Sequence, residues 1–515
     1  MRVEKLALDK TGSFSRIFLD YLTSEPALAH THSFEPSIAG FEKALSYRKL
    51  SPEYRNTLVK VLQEQYTNLE LPKSVEQNIQ LLKEQNTYTV TTGHQLNIFT
   101  GPLFFIYKIA TTINICQQLA KKFPEYNFVP VYWMASEDHD FIEINNVYVD
   151  GKTYTWQTAQ QGAVGRFNPH ELANLADNIP GKIALFKKAY RTSDTLADAV
   201  RYYVNELFGE TGLVVVDADH KELKKEFKSI VKDDLINHSA YKAVMARSQY
   251  LKERGYKPQL NPREINLFYL EDNLRARIEQ KNNHYVVVDT DIVMTKDEIL
   301  TLVDTNPEKF SPNVILRPVY QEVILPNLGY VGGPSELAYW LQYKEMFDFF
   351  KIDFPVLMPR NFGLYMNKNA ERKQKKLGLQ YEDLFTQIDA LKKKYVHSMN
   401  GDLNLKQQRN DVMKMYKSLK TLAHKIDITL EPHIEAQHNK YQQCLDKIEA
   451  KLVMAEKRNR DDEMQMIAAL KEYTFPEGTL QERKVNYLSI NSDTFIANIL
   501  KSTNPFDLRL HIYLS

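Results

Sequence analysis

Cysteine is nearly missing from this chain: Cys116 and Cys444 are the only two in 515 residues, far apart and each inside a helical pattern. That excludes a disulfide framework, leaves no cysteine cluster for zinc, and points to a reducing cytoplasm. An excess of either charge is missing too. With 66 basic residues against 65 acidic ones, nothing calls for nucleic acid as a partner. No apolar run is long enough to span a bilayer, and the first ten residues are too broken by charge for a signal peptide. The expectation is a soluble cytoplasmic protein with no membrane partner.

What is present is a large apolar content, 43% of the residues, enough for a sizeable core and, at this length, more than one domain or inserted modules. Thr89 to His94 and Val129 to Met134 read as buried strands, the first followed by a glycine-bearing turn and a helix from Phe104 to Leu119. This is a β-α-β unit, so the expected class is α/β with a parallel sheet. Ligands of such sheets bind beyond the carboxyl ends of the strands, which here carry Gly93-His94-Gln95 and Glu137-Asp138-His139-Asp140.

Residues 13 to 86 read as mostly helical, with Ser51-Pro52-Glu53 as a start signal. Strands are expected at Val147 to Val149, Thr153 to Trp156, Leu213 to Asp217, Tyr285 to Val288 and Asn313 to Val319. The internal proline of Asp353 to Arg360 marks an edge strand or one that starts late. Three parts follow: a core over 1–380 with N-terminal helices and insertions at about 151–211 and 220–310, a helical arm over 381–473, and a closing segment over 474–515 that folds back onto the core. In the arm, Val412, Met415, Leu419, Leu422 and Ile426, then Ile434, Tyr441, Leu445, Ile448, Leu452 and Ala455, recur at heptad spacing in glycine-poor sequence. The runs meet near Glu431-Pro432, and a helical hairpin or coiled coil explains them better than an ordinary bundle.

Gly93 lets a ligand approach the backbone, and His94 with the following helix amides suits an anion. Four ionisable groups directly after an apolar strand suit a metal, an amine or general-base work, and the alternative is an exposed polar loop. The strand period prevents all four from facing one pocket. Asn327 to Trp340 reads as a glycine turn entering a helix, with Gly333, Glu336 and Tyr339 placed for a substrate and Glu336 favouring an amine. Arg360 at a strand end suits a carboxylate or phosphate.

These motifs, in this order, resemble the bacillithiol biosynthesis cysteine-adding family, BshC. The likeness lies in Thr92-Gly93-His94-Gln95 with Phe99 to Leu103, Pro130 to Trp133 with Glu137 to Asp140, Gly333 to Glu336 with Ala338 to Trp340, and Leu480 to Arg483 with Asn486. The resemblance implies a Rossmann-like core akin to class I aminoacyl-tRNA synthetases, with connecting insertions and a C-terminal α-helical coiled coil that forms a homodimer. It also implies a ligase that joins cysteine through an amide to the amine of glucosaminyl-malate, by way of an adenylate-like activated cysteine.

On that reading His94, Asp138, His139 and Asp140 are catalytic, while Gly93, Gln95, Gly333, Glu336, Tyr339 and Arg360 bind substrate around one cleft. A nucleotide, ATP or ADP, is expected beside Arg483 and Asn486, although the run Gln481 to Arg483 serves equally as a structural latch. Two other readings stay open. A metal-dependent hydrolase would use Asp138, His139 and Asp140 as ligands, and a non-catalytic scaffold would need only residues 382–472.

Overall fold

The structure, a computed structural model, describes every residue except Asn491 and the side chain of Asp402. The chain divides into two compact units: residues 1–365 with 480–513, and residues 366–479 with 514–515.

The first unit is built on five parallel strands: β1 (Thr87–His94), β2 (Asn127–Met134), β3 (Val214–Asp217), β4 (Asn327–Gly332) and β5 (Val356–Pro359), in the spatial order β5-β4-β1-β2-β3. Register brings the carboxyl ends level, because His94 faces Met134, Met134 faces Asp217 and Gly332 faces Pro359. The order reverses at β1, and the crevice between β1 and β4 is the switch point where such sheets bind ligands. Helix α1 (Phe104–Lys122) covers one face: its Ile115, Cys116 and Leu119 pack with Val90, Val331, Val356 and Met358.

Two segments differ from their sequence reading. Residues 327–332 form a central strand, hidden by Gly329 and Gly332; a Cβ on Gly329 would lie 2.6 Å from the Phe41 ring, so close packing requires the glycine. Asn327 ties this strand to β1 by accepting hydrogen bonds from the Thr89 and Thr91 hydroxyls at 3.1 and 2.8 Å. The expected strand from Asn313 to Val319 is instead the start of helix α2 (Leu316–Ile324). The Asn313 side chain accepts from the amides of Ile315 and Leu316, and Leu316, Val319, Tyr320 and Val323 are buried at helical spacing.

Between β2 and β3 lie a hairpin (Asn146–Val149 with Lys152–Thr155) and helices. Between β3 and α2 lie further helices and a five-stranded antiparallel sheet that includes Leu267–Glu271, Leu274–Lys281 and Phe310–Pro312. Helix α3 (Pro334–Trp340) follows β4. The chain returns at Leu480 to complete this unit.

The second unit is helical. Its longest members, α4 (Lys406–Ile426) and α5 (Glu431–Asn459), form an antiparallel hairpin about the turn Ile428–Leu430, with Pro432 in the first turn of α5. Arg409 pairs with Asp446 and Glu449, and Lys420 with Glu435, so charges lock the register. Ala423, Leu445 and Val453 are buried, but Met415, Leu419, Leu422, Ile426, Tyr441, Ile448 and Leu452 remain exposed along the hairpin.

Candidate functional site

A cavity of about 610 Å³ opens at the switch point, within the usual size for a small-molecule site. Gly93, His94, Gln95, Asp138, His139, Glu336 and Tyr339 all border it. Asp140, Gly333 and Arg360 do not.

His94 ends β1 with its ring against Phe104 and Phe105, at centroid distances of 5.1 and 5.3 Å. Burial first, then the charge of Lys108, pushes its pKa down to about 3, so the ring is neutral at physiological pH. Its Nε2 is buried with no hydrogen-bond partner. The expected help from helix amides is absent at this turn. Gln95 to Leu103 intervene, with Phe99, Thr100 and Gly101 all at positive φ, and the amides of Leu103 and Phe105 already donate to Val485 O and Pro102 O.

The acidic cluster divides by direction. Glu137 turns to the buried Lys224, 2.5 Å away. Asp138 stays at the cleft: one oxygen accepts from Gln95 Nε2 at 3.0 Å, and the other from the amides of His139 and Asp140 at 2.8 and 3.3 Å. Burial alone would raise its pKa, but the Gln95 hydrogen bond and the Arg275 charge outweigh it and hold Asp138 ionised. Arg275 donates to His139 Nδ1 at 2.7 Å, which fixes the imidazole proton on Nε2. Burial and Arg275 together lower the His139 pKa. Asp140 is exposed and leads into the helical turn Phe141–Ile144, so the chain has left the cleft before its side chain can enter.

Glu336 is occupied. Lys108 Nζ donates to both its oxygens at 2.8 and 2.9 Å, Tyr330 Oη to Oε2 at 2.7 Å, and Gly333 N to Oε1 at 3.1 Å. Burial would raise its pKa, yet Lys108 and these donors hold it at about 2. A carboxylate has about four acceptor positions. With all of them filled, Glu336 fastens α3 to α1 and does not reach out to a substrate amine.

Arg360, expected to bind an anion, forks instead onto buried Glu482 at 2.9 and 2.6 Å, between Phe104 and Phe362. Asn486 is buried: its amide donates to Phe99 O and Gly101 O at 2.7 and 2.5 Å, and its oxygen accepts from Leu488 N. Arg483 is exposed. Of the pair expected beside a nucleotide, Asn486 has its side chain engaged, the amide in holding the turn after β1 and the oxygen on Leu488 N.

Lys108, Arg275 and Arg317 belong to the cleft and were not foreseen. A lysine amid the apolar Phe104 to Ala110 was a usable signal; Arg275 and Arg317 carried none, because their surroundings come from distant segments. Among the described residues no three His, Cys, Asp or Glu side chains converge to hold a metal, and Arg275 stands where the hydrolase reading needs a cation.

The family described as "Bacillithiol biosynthesis BshC, N-terminal Rossmann-like domain" matches residues 1–361, and its "C-terminal coiled-coil domain" matches 363–514. A protein of Flavobacterium psychrophilum called "Putative cysteine ligase BshC" is 43% identical over 507 residues, covering 95% of this chain and 94% of its own. Its counterpart in Flavobacterium johnsoniae is 40% identical over 99% of both chains, and that of Bacillus cytotoxicus 26% identical over 96% and 97%. Among solved structures, a Campylobacter jejuni protein described as a "putative arginyl t-RNA synthetase" aligns at 10% identity over 81% of this chain and all of its own, with a TM-score of 0.20, too low to bear on the fold. No described helix is long and apolar enough to cross a membrane.

Proposed function

The chain belongs to the BshC family of bacillithiol biosynthesis, and from that premise we propose that it is a ligase forming the amide between the cysteine carboxyl group and the amine of glucosaminyl-malate. The observation that carries this reading is the neutral His94 beside the ionised Asp138 in one cleft at the switch point.

Amide formation needs an acyl carbon that bears a leaving group, an uncharged amine and support for the oxygen that gains charge. In this reading the cysteine carboxyl is activated in an adenylate-like form, and ATP is the first cosubstrate to try. Neutral His94, packed against Phe104 and Phe105, donates to the acyl oxygen, and a donor already held in place contributes most to such a step. Asp138 draws the ammonium form of the amine to the carbon, and positioning lowers the barrier further. The ammonium gives its proton to water through the Asp138 carboxylate, the free amine forms the C–N bond, and the activating group leaves with the electron pair of the broken acyl C–O bond. His139, with its Nδ1 lone pair taken by Arg275, donates through Nε2 rather than serving as the base.

Homodimerisation through the hairpin is part of the proposal, supported by the exposed seam that includes Leu419, Leu422, Ile448 and Leu452. The test of activity is incubation of the purified protein with cysteine, glucosaminyl-malate and candidate nucleotides, with products identified by mass. The cysteinyl amide is expected; its absence with every nucleotide tried sinks the ligase reading.

A further inference from the structure

Two cations of the cleft lack the partners that the others have. Lys108 is bound to Glu336, and Arg275 to His139, to Ser311 Oγ at 3.1 Å and, more loosely, to Asp138 at 3.7 Å. Arg317 has one hydrogen bond, to Gln321 Oε1 at 3.0 Å, and among the described residues it meets no carboxylate at ion-pair distance. Its guanidinium lies 5.8 and 5.7 Å from the ring centroids of Trp133 and Tyr330, and one of its nitrogens would be 3.7 Å from a Cβ on Gly93. It therefore overhangs the end of β1, where the ligand of a parallel sheet belongs.

Helix stability does not explain this placement. Arg317 is the second residue of α2, where the helix dipole disfavours a cation and favours an anion. Arg263 is exposed on the same cleft and has no side-chain partner among the described residues. The carboxylates that might have neutralised the pair are turned elsewhere: Glu336 is saturated, Asp138 is held by Gln95, and Glu137 is paired with Lys224. Two separate guanidinium groups, each with a planar fork of donors still open, match two carboxylates better than one compact anion.

We propose that Arg317 and Arg263 form an anion subsite of the cleft that takes a dicarboxylate of the malate type. The subsite deepens the ligase reading and rests on it for the ligand's identity, as the malyl end of the acceptor. Arg317 stands over the end of β1 and Arg263 lines the same cavity, so the acceptor is held by its acidic end while its amine reaches Asp138 and His94.

Calorimetry on the full chain with L-malate and, separately, inorganic phosphate tests this without turnover. L-malate binding is expected, weakened tenfold or more in Arg317→Gln and less in Arg317→Lys, which keeps the charge but loses the fork. Arg263→Gln should weaken L-malate severalfold and leave phosphate unchanged. Circular dichroism identifies a variant that fails to fold, and Arg317→Lys, which keeps a cation on α2, then serves as the second probe, with a smaller but measurable loss.

No L-malate binding by the unaltered chain, or equal binding by folded Arg317→Gln, overturns the proposal. Arg317-dependent binding of phosphate alone also overturns it, by assigning the guanidinium to a phosphate. If no nucleotide supports amide formation while L-malate binding still depends on Arg317, the subsite stands and the ligase reading falls. If the amide forms with an unchanged KM for the acceptor in Arg317→Gln, the reverse holds.

Discussion

His94 is a histidine arranged not to titrate where histidines usually do. Its pKa near 3, set by burial and Lys108, predicts a carbon-13 shift at its ring that stays constant between pH 8 and 5. A titration near pH 6.5 would contradict the neutral-donor role. The acid limb of kcat/KM should then follow the substrate amine rather than this residue. Stability has the opposite exposure to pH. A folded-state pKa depressed below the unfolded value means that the unfolded chain binds the extra proton. The contribution of His94 is whole above pH 6.5 and fades as pH falls towards 3, and that of Glu336 fades between 4.5 and about 2. Thermal melts at pH 7, 5 and 4 should show a falling midpoint. Alanine at His94 or Asp138 should cut turnover by roughly a hundredfold or more while circular dichroism shows the chain still folded. At this scale the sequence was legible for residues adjoining a strand end. Gln95, Asp138 and His139 needed only the strand boundary to be placed, whereas Glu336 looked free because its partner Lys108 lies 228 residues away in sequence.

At the scale of elements, Lys108 and Glu336 are a joint between α1 and α3. Lys108→Met leaves a largely buried carboxylate without its cation, at a cost of about 3 kcal/mol or more. The double variant Lys108→Met/Glu336→Gln should recover much of that loss, as read from denaturant midpoints; no recovery would mean that the pair does not act as a unit. The hairpin predicts a different outcome. Charges placed on the exposed seam, as in Leu419→Glu with Ile448→Glu, should keep the helical circular dichroism and halve the mass by light scattering, whereas an unaltered chain that is already monomeric removes the dimer proposal. Strand β2 could be read because an apolar run stops in charge, and β1 because threonine, tyrosine and valine, which favour strands, stop at a glycine-bearing turn. Strand β4 could not, since Phe41 requires a glycine where strand patterns expect a side chain, and α2 was masked by valine and isoleucine, which suit strands equally well.

For the molecule as a whole, residues 480–513 are part of the first unit although residues 366–479 precede them in the chain. Their hold on it is polar as well as apolar. Glu482 neutralises buried Arg360 and accepts from Gly363 N, while Asn486 braces the three residues at positive φ after β1. Glu482→Ala in the full chain should cost about 3–5 kcal/mol, the range for stranding one member of a buried pair, and chemical denaturation measures it. A loss under 1 kcal/mol would show that the core does not depend on this clasp. The order of these pieces also sets a timetable on the ribosome. At roughly 5–20 residues per second, the helical segment occupies about ten seconds of synthesis, during which Arg360 has emerged and its counter-charge has not yet been made. A nascent core in that interval is a natural client for a chaperone, and slowing translation over the helices would lengthen its exposure.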